Sequence, residues 1–180
     1  MQYANLADLK AYGNITTSDD DDVLDVLLSA AAELINGHCG RVFLIAASTD
    51  RTFRRRNGDW DGRTLWFGAE LAELVSVTGT PTVIKLPEND PPYTRMQLDP
   101  ADVVGWADPT VVNGYWGYSK TPPAAIVECS LRLAKWLYDL RTTKPVDFVT
   151  VTPFGQVIVP ATLPLDVVMM LAPYRRQVMV

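Results

Sequence analysis

Leu24, Leu27, Leu28, Ala31, Leu34, Ile35 and His38 recur at alternating steps of three and four. Because 3.6 residues complete a helical turn, that spacing gathers seven side chains on one face of a helix. Asp25, Ser29, Glu33 and Asn36 fall on the opposite face. A stripe this long is unstable in water, so the rest of the chain must supply apolar surface to cover it. The helix is expected to start after Thr17 or Ser18 and to stop at Gly40, which takes the left-handed turn that closes helices without a Cβ penalty.

Three further helices are expected around it. Asn5 is placed to cap a short one, with Asp8 three residues on. Leu6, Leu9 and Tyr12 share its face, and Gly13 should end it. A third helix is expected from Thr121-Pro122-Pro123, where a hydroxyl cap precedes prolines that the first turn tolerates. Ile126, Cys129, Leu133, Trp136, Leu137 and Leu140 form one stripe on it, flanked by a second of Val127, Leu131, Ala134 and Tyr138. Glu128, Arg132, Lys135 and Asp139 make its polar line, with Glu128 and Arg132 spaced as an i,i+4 pair. The last helix is expected from about Thr162 to Leu171, with Pro164 in its first turn and Pro173 as its stop. Val167, Val168, Met169, Met170 and Leu171 leave it apolar all round.

Between the second and third helices the texture turns to short β segments. Arg51 to Arg54 and Thr64 to Phe67 flank the turn-rich run Asn57 to Gly62, which reads as a hairpin loop. Leu74 to Thr78, Thr82 to Leu86 and Val111 to Tyr118 are further expected strands, with a loop from Pro87 to Pro92. Phe148 to Val151 and Gln156 to Val159 bracket Thr152-Pro153-Phe154-Gly155 as a second hairpin, expected to project. The fold class is therefore α+β: one domain over 1–180, a compact bundle of about four helices (1–48 and 119–180) with a β-rich insertion over 49–118.

The 180 residues are 48% hydrophobic and 21% charged, the balance of a globular chain. A net charge of −5 lacks the basic footprint of a nucleic-acid binder. The deficit lies early: residues 1–90 hold 8 basic and 14 acidic residues, residues 91–180 hold 8 and 7. The start lacks the basic and apolar runs of a signal peptide, and the longest uncharged stretch, Phe148 to Leu165, is broken by three prolines and a glycine. A soluble chain that is not exported by this route, with no membrane partner, is expected.

Catalytic means are thin. His38 is the only histidine, and its place on the buried stripe at a helix C-terminus reads as structural. Cys39 and Cys129 are too few for a zinc site and fill core space. Asp19-Asp20-Asp21-Asp22 reads as charge offsetting the helix dipole, since calcium loops alternate their ligands and need a glycine turn. No metal and no cofactor is expected. Arg51, Arg54, Arg55 and Arg56 would be split between two strand faces by alternation, which argues against one phosphate clamp. Trp60, Trp66, Trp106, Tyr115, Trp116 and Tyr118 suggest core filler, or a sugar-stacking platform.

Several separated pieces resemble the bacteriophage head–tail connector (adaptor) family. Leu6 to Tyr12 resembles its opening helix. Asp19 to Asp22 leading to Ala32-Glu33-Leu34-Ile35-Asn36-Gly37-His38-Cys39-Gly40-Arg41-Val42-Phe43 resembles its second helix and Cys-Gly-Arg-x-Phe exit. Trp116 to Ile126 resembles its strand-to-helix join, and Leu171-Ala172-Pro173-Tyr174-Arg175-Arg176 its closing motif. The middle, Asn57 to Pro109, does not match. The resemblance implies a non-enzymatic virion protein of the neck, assembled in the host cytoplasm. It also implies a homo-oligomeric ring, a dodecamer, joining the portal protein to a stopper or tail-completion protein while genome DNA passes through.

With that role, Val127, Leu131, Tyr138, Val167 and Met170 are the expected subunit interface. Asp19, Asp20, Asp21 and Asp22 would face the lumen or a partner rim. Tyr174, Arg175, Arg176, Val178 and Val180 of the tail would bind the portal, and Pro153 and Phe154 would touch a neighbour or the ring below. The alternative from another class is a small carbohydrate- or cell-wall-binding module built on the tryptophan-rich β segment. An enzyme using His38 is a third.

Overall fold

The structure is a computed structural model describing residues 2–78, 84–86, 91–98, 105–143, 150–151, 157–158 and 163–176. It is an α+β fold of four helices and short antiparallel strands. The chain divides into two compact units, one of residues 1–41 with 123–180 and one of residues 42–122.

The first unit is helical. Helix α1 spans Leu6–Gly13, and Asn5 caps it by accepting from the Asp8 amide. Its left-handed terminator is Asn14 (φ 53), not Gly13. Asparagine tolerates that conformation because its short polar side chain bonds locally. Helix α2 spans Asp21–Cys39, starting later than expected: the Asp21 amide donates to the Ser18 carbonyl at 3.2 Å in a turn ahead of it, and the N-cap Asp20 makes no side-chain cap bond. Gly40 (φ 64) closes it as expected. Leu24, Leu28, Ala31, Ala32, Ile35 and Cys39 are its buried face, with Leu27, Leu34 and His38 half-buried at the margin.

Helix α3 spans Ala124–Thr143 and packs against α1, α2 and α4. It starts beyond the prolines: the Pro123 carbonyl accepts from the Ile126 and Val127 amides at 2.9 and 3.1 Å. Ile126, Cys129, Ser130, Leu133 and Ala134 are buried. Helix α4 is shorter than expected, Leu165–Leu171, because Pro164 is extended (ψ 140) and stands at the cap rather than inside the first turn. The end of α4 at Leu171 is as expected, ahead of Pro173, and a 3-10 turn over Ala172–Tyr174 follows. The hairpin before α4 is present, β8 (Thr150–Val151) pairing antiparallel with β9 (Val157–Ile158).

The second unit holds β1 (Thr49–Phe53), β2 (Trp60–Asp61), β3 (Thr64–Leu71), β4 (Glu73–Thr78), β5 (Ile84–Lys85), β6 (Tyr93–Leu98) and β7 (Thr110–Tyr115). Two sheets form, ordered β1-β7-β4 and β2-β3-β6-β5. The expected hairpin between 51–54 and 64–67 is not made. Strand β1 pairs with β7, Thr49 opposite Gly114 and Phe53 opposite Thr110, while β3 joins the other sheet. The intervening run breaks into a 3-10 turn over Arg55–Asn57 and the short β2. The arginines of that turn therefore do not alternate as strand residues. Strand β6 was not foreseen.

Both sheets share one core of Phe53, Leu65, Phe67, Leu71, Met96, Val112 and Trp116. Central strand β7 passes so close to β4 that only glycine fits at 114: a Cβ there would stand 2.5 Å from Leu71 Cδ1 and 2.7 Å from the Glu73 carbonyl. The two ends of the unit are tied, Tyr118 N donating to Val42 O at 2.8 Å and Ser119 Oγ to Phe43 O at 3.0 Å. Among the described residues no helix is long and apolar enough to cross a membrane.

Candidate functional site

In the helical unit, α3 buries Ile126, Cys129 and Leu133 of its first stripe and Ala134 of its second, and leaves Val127, Leu131 and Tyr138 half-buried. Tyr138 Oη donates to Asp20 Oδ2 at 2.7 Å, tying the middle of α3 to the start of α2. On α4, Val167 (1% exposed) and Leu171 lie in the unit's own core, and Met170 is half-buried. Leu165 and Met169, one turn apart, are 74% and 69% exposed. They form a protruding apolar pair that the sequence pattern did not single out. Arg132 braces the helix beneath, donating from Nε to Glu128 at 2.8 Å and from Nη1 to Asp166 at 3.1 Å. Beside it, Tyr12, Trp136 and Pro164 line a cleft of about 260 Å³, rimmed by Arg132, Lys135 and Asp139.

The four aspartates are not one cluster. Asp20 accepts from Tyr138, and Asp21 accepts from Lys10 Nζ at 2.6 Å. Asp19 and Asp22 are exposed. No group of three or more His, Cys, Asp or Glu side chains is arranged to hold a metal among the described residues. What the run does supply is negative charge at the positive end of α2.

At the other end of α2, Arg176 N donates to Cys39 O at 2.8 Å, satisfying one of the carbonyls a helix end leaves free. Tyr174 is half-buried, and Arg175 and Arg176 are exposed. Val178 and Val180 lie outside the described residues, as do Pro153 and Phe154. Cys39 and Cys129 are free thiols and buried. Burial raises the pKa of both, that of Cys129 to about 11, against a smaller opposing effect of nearby arginines. Such thiols stay protonated at neutral pH, which removes the thiolate a cysteine nucleophile needs. His38 is half-buried on the last turn of α2.

The aromatic residues of the β unit are not gathered into one platform. Trp116 lies in the core, edge-on to Phe67 at 5.3 Å, its Nε1 donating to Thr49 O at 2.9 Å. Arg51 lies over its ring at 4.5 Å. Tyr118 packs on Phe43, and Lys120 sits over Tyr115 while pairing with Glu73 at 2.9 Å. Trp66, 46% exposed, has Arg95 over it at 5.4 Å. Trp60 and Trp106 share a cleft, of about 340 Å³, with Arg55, Gly62 and Gly105.

No protein-family model and no curated protein sequence matches the chain. The fold is similar to that of a chain in the neck of an empty gene transfer agent (GTA) particle computed with C6 symmetry. The TM-score is 0.59 at 17% identity, and the match covers 97% of this chain and 90% of that one. Helical unit and β insertion are therefore matched together, and what the likeness establishes is the fold.

Proposed function

We propose that this chain is a non-enzymatic structural subunit of the head–tail neck of a phage-like particle. The observation that carries the reading is the fold similarity to a neck chain over 97% of the sequence. Copies close into a ring, a dodecamer, under the portal protein, and hold a stopper or tail-completion protein below. A closed ring needs two different complementary faces on each subunit. The exposed Leu165 and Met169, with half-buried Met170 on the same helix, supply one apolar face, and half-buried Val127, Leu131 and Tyr138 of α3 are assigned to the subunit interface as well. Val167 underlies that face from within the core.

The acidic balance of residues 1–90 suits a channel that genome DNA traverses without adhering, because like charge removes the counterion-release gain that drives nonspecific binding. Exposed Asp19 and Asp22 are assigned to the lumen or to a partner rim. The exposed guanidiniums of Arg175 and Arg176 are assigned to carboxylates on the portal, where planar two-point bonding favours arginine. Pro153 and Phe154 are assigned to contact with a neighbour or with the ring below. Assembly takes place in the host cytoplasm and the product resides in the virion.

Native mass measurement of the purified chain with and without its portal tests the ring. A single closed multimer formed with portal is expected. A chain that stays monomeric with portal present, or a particle reconstruction that places it outside the neck, would refute the proposal.

A further inference from the structure

Helix α2 carries an outer face on which an apolar side chain stands between carboxylates. Asp22, Val26, Ser29, Glu33 and Gly37 follow at steps of four, three, four and four, so they share one side of the helix. Val26 is 66% exposed, Asp22 and Glu33 are exposed, and Gly37 meets no atom within 4 Å of where its Cβ would stand. Asp19 lies exposed just ahead of the helix. None of these three carboxylates accepts from a described residue. Such a face suits a cation that brings an apolar stem with it.

The β unit gathers the opposite charge in one place. Arg54, Arg55 and Arg56 run into the 3-10 turn, Arg55 and Arg56 exposed and Arg54 half-buried. The turn is fixed at both ends. The Arg54 amide donates to Asp59 Oδ2 at 2.7 Å, and Gly58 (φ 72) closes it, its amide donating to Arg55 O at 3.0 Å. None of the three guanidiniums bonds to a described residue.

We propose that the arginine turn of one copy docks on the α2 face of the next. Its guanidiniums meet Asp19, Asp22 and Glu33, and an arginine stem covers Val26. The proposal rests on the neck reading and assigns Asp19 and Asp22 to a partner rim, the partner being a second copy of this chain. Charge complementarity selects that occupant. Every copy carries both members of the pair, they are different surfaces, and contact between different surfaces is what closes a ring. Arginine suits the junction because its planar fork can bond a carboxylate at two points. Duplex DNA is the other candidate for the turn and fits less well. Three phosphate contacts from a chain of net charge −5 bind weakly at physiological salt, and DNA would leave Val26 and its carboxylates uncovered.

The test is charge reversal in the full chain, Arg55→Glu with Arg56→Glu in one variant and Asp22→Arg with Glu33→Arg in another, followed by native mass measurement with portal. Each variant alone should need at least roughly tenfold more chain for half-assembly, because like charges then face each other at every junction. An equimolar mixture should assemble again, since an alternating ring joins opposite charges throughout, and only even-numbered rings should appear. Recovery in the mixture also shows that both variants fold. Closed multimers from either variant alone, at the concentration that serves the unsubstituted chain, overturn the proposal and leave the neck reading intact. So does a mixture that fails to assemble although both variants keep the circular dichroism and fluorescence of the unsubstituted chain. So does a short DNA duplex that binds the unsubstituted chain and not the Arg55, Arg56 variant while that variant still assembles. An unsubstituted chain that stays monomeric with portal removes the neck reading, and the proposal with it.

Discussion

Replacing one glycine and then another by alanine should move stability in opposite directions. At Gly114 the added methyl would stand 2.5 Å from Leu71 Cδ1 and 2.7 Å from the Glu73 carbonyl oxygen. Leu71 is fully buried. The carbonyl belongs to β4, whose Leu74 pairs with Gly114 itself, so relief requires the strands to part. Overpacking of this kind costs about 1–3 kcal/mol. The reduced freedom of the unfolded chain returns about 0.4–1 kcal/mol. The net expectation is a loss of about 1–2 kcal/mol. At Gly37, exposed near the end of α2, nothing lies within 4 Å of the added Cβ. There alanine should gain about 0.5–1 kcal/mol as the better helix former. Urea titration followed by tryptophan fluorescence reports mainly the β unit, which holds Trp60, Trp66, Trp106 and Trp116. Far-ultraviolet circular dichroism reports the helices, α2 among them. A Gly114→Ala midpoint at or above that of the unsubstituted chain would show that the close strand approach is not a constraint.

Ser130 is fully buried on α3 and its hydroxyl has no partner, so Ser130→Ala should stabilise by about 1 kcal/mol, readable as a higher urea midpoint. Asn5→Ala removes the cap of α1 and should cost about 1 kcal/mol in the same assay. For Cys129 the folded pKa, about 11, lies above the ordinary 9.0 because burial disfavours the thiolate. Its contribution to stability is therefore whole below pH 9.0 and is lost as pH rises towards about 11, since the unfolded chain releases its proton first. Cys129→Ala should flatten the fall of the urea midpoint in that window. Truncation after Pro173 should abolish incorporation into particles while leaving the β unit's fluorescence unfolding unchanged, and normal incorporation would refute the assignment of Arg175 and Arg176 to the portal.

Legibility in the sequence followed the range of the interactions. Helix α2 was readable with its Gly40 stop, because a three-four stripe and a glycine are local signals. The end of α1 was misplaced by one residue, since Gly13 and Asn14 both tolerate closure and only the surroundings decide. Alternation revealed β1 and β3 as strands but not their partners. Pairing is set by how side chains fill a shared core, and β1 found its partner in β7, at the far end of the insertion. Strand β6 did carry a signal, with buried Met96 and Leu98 alternating with exposed Arg95 and Gln97, but the run is short and directly follows Pro91-Pro92, whose local signal is that of a loop. Of the surfaces, the acidic run was legible as charge, while its division between Tyr138, Lys10 and solvent was not. Neither the exposed Leu165–Met169 pair nor the Trp60–Trp106 cleft was visible beforehand. Each depends on which of several similar apolar residues the core leaves over.

The bonds from Tyr118 to Val42 and from Ser119 to Phe43 give the long excursion between them a common root. A segment whose two stems meet behaves as a cassette: its contents can be lengthened, shortened or exchanged over generations with little disturbance to the scaffold that carries it. Proteins sharing this scaffold should therefore diverge fastest between those stems, and recombination with breakpoints there should yield chains that still fold.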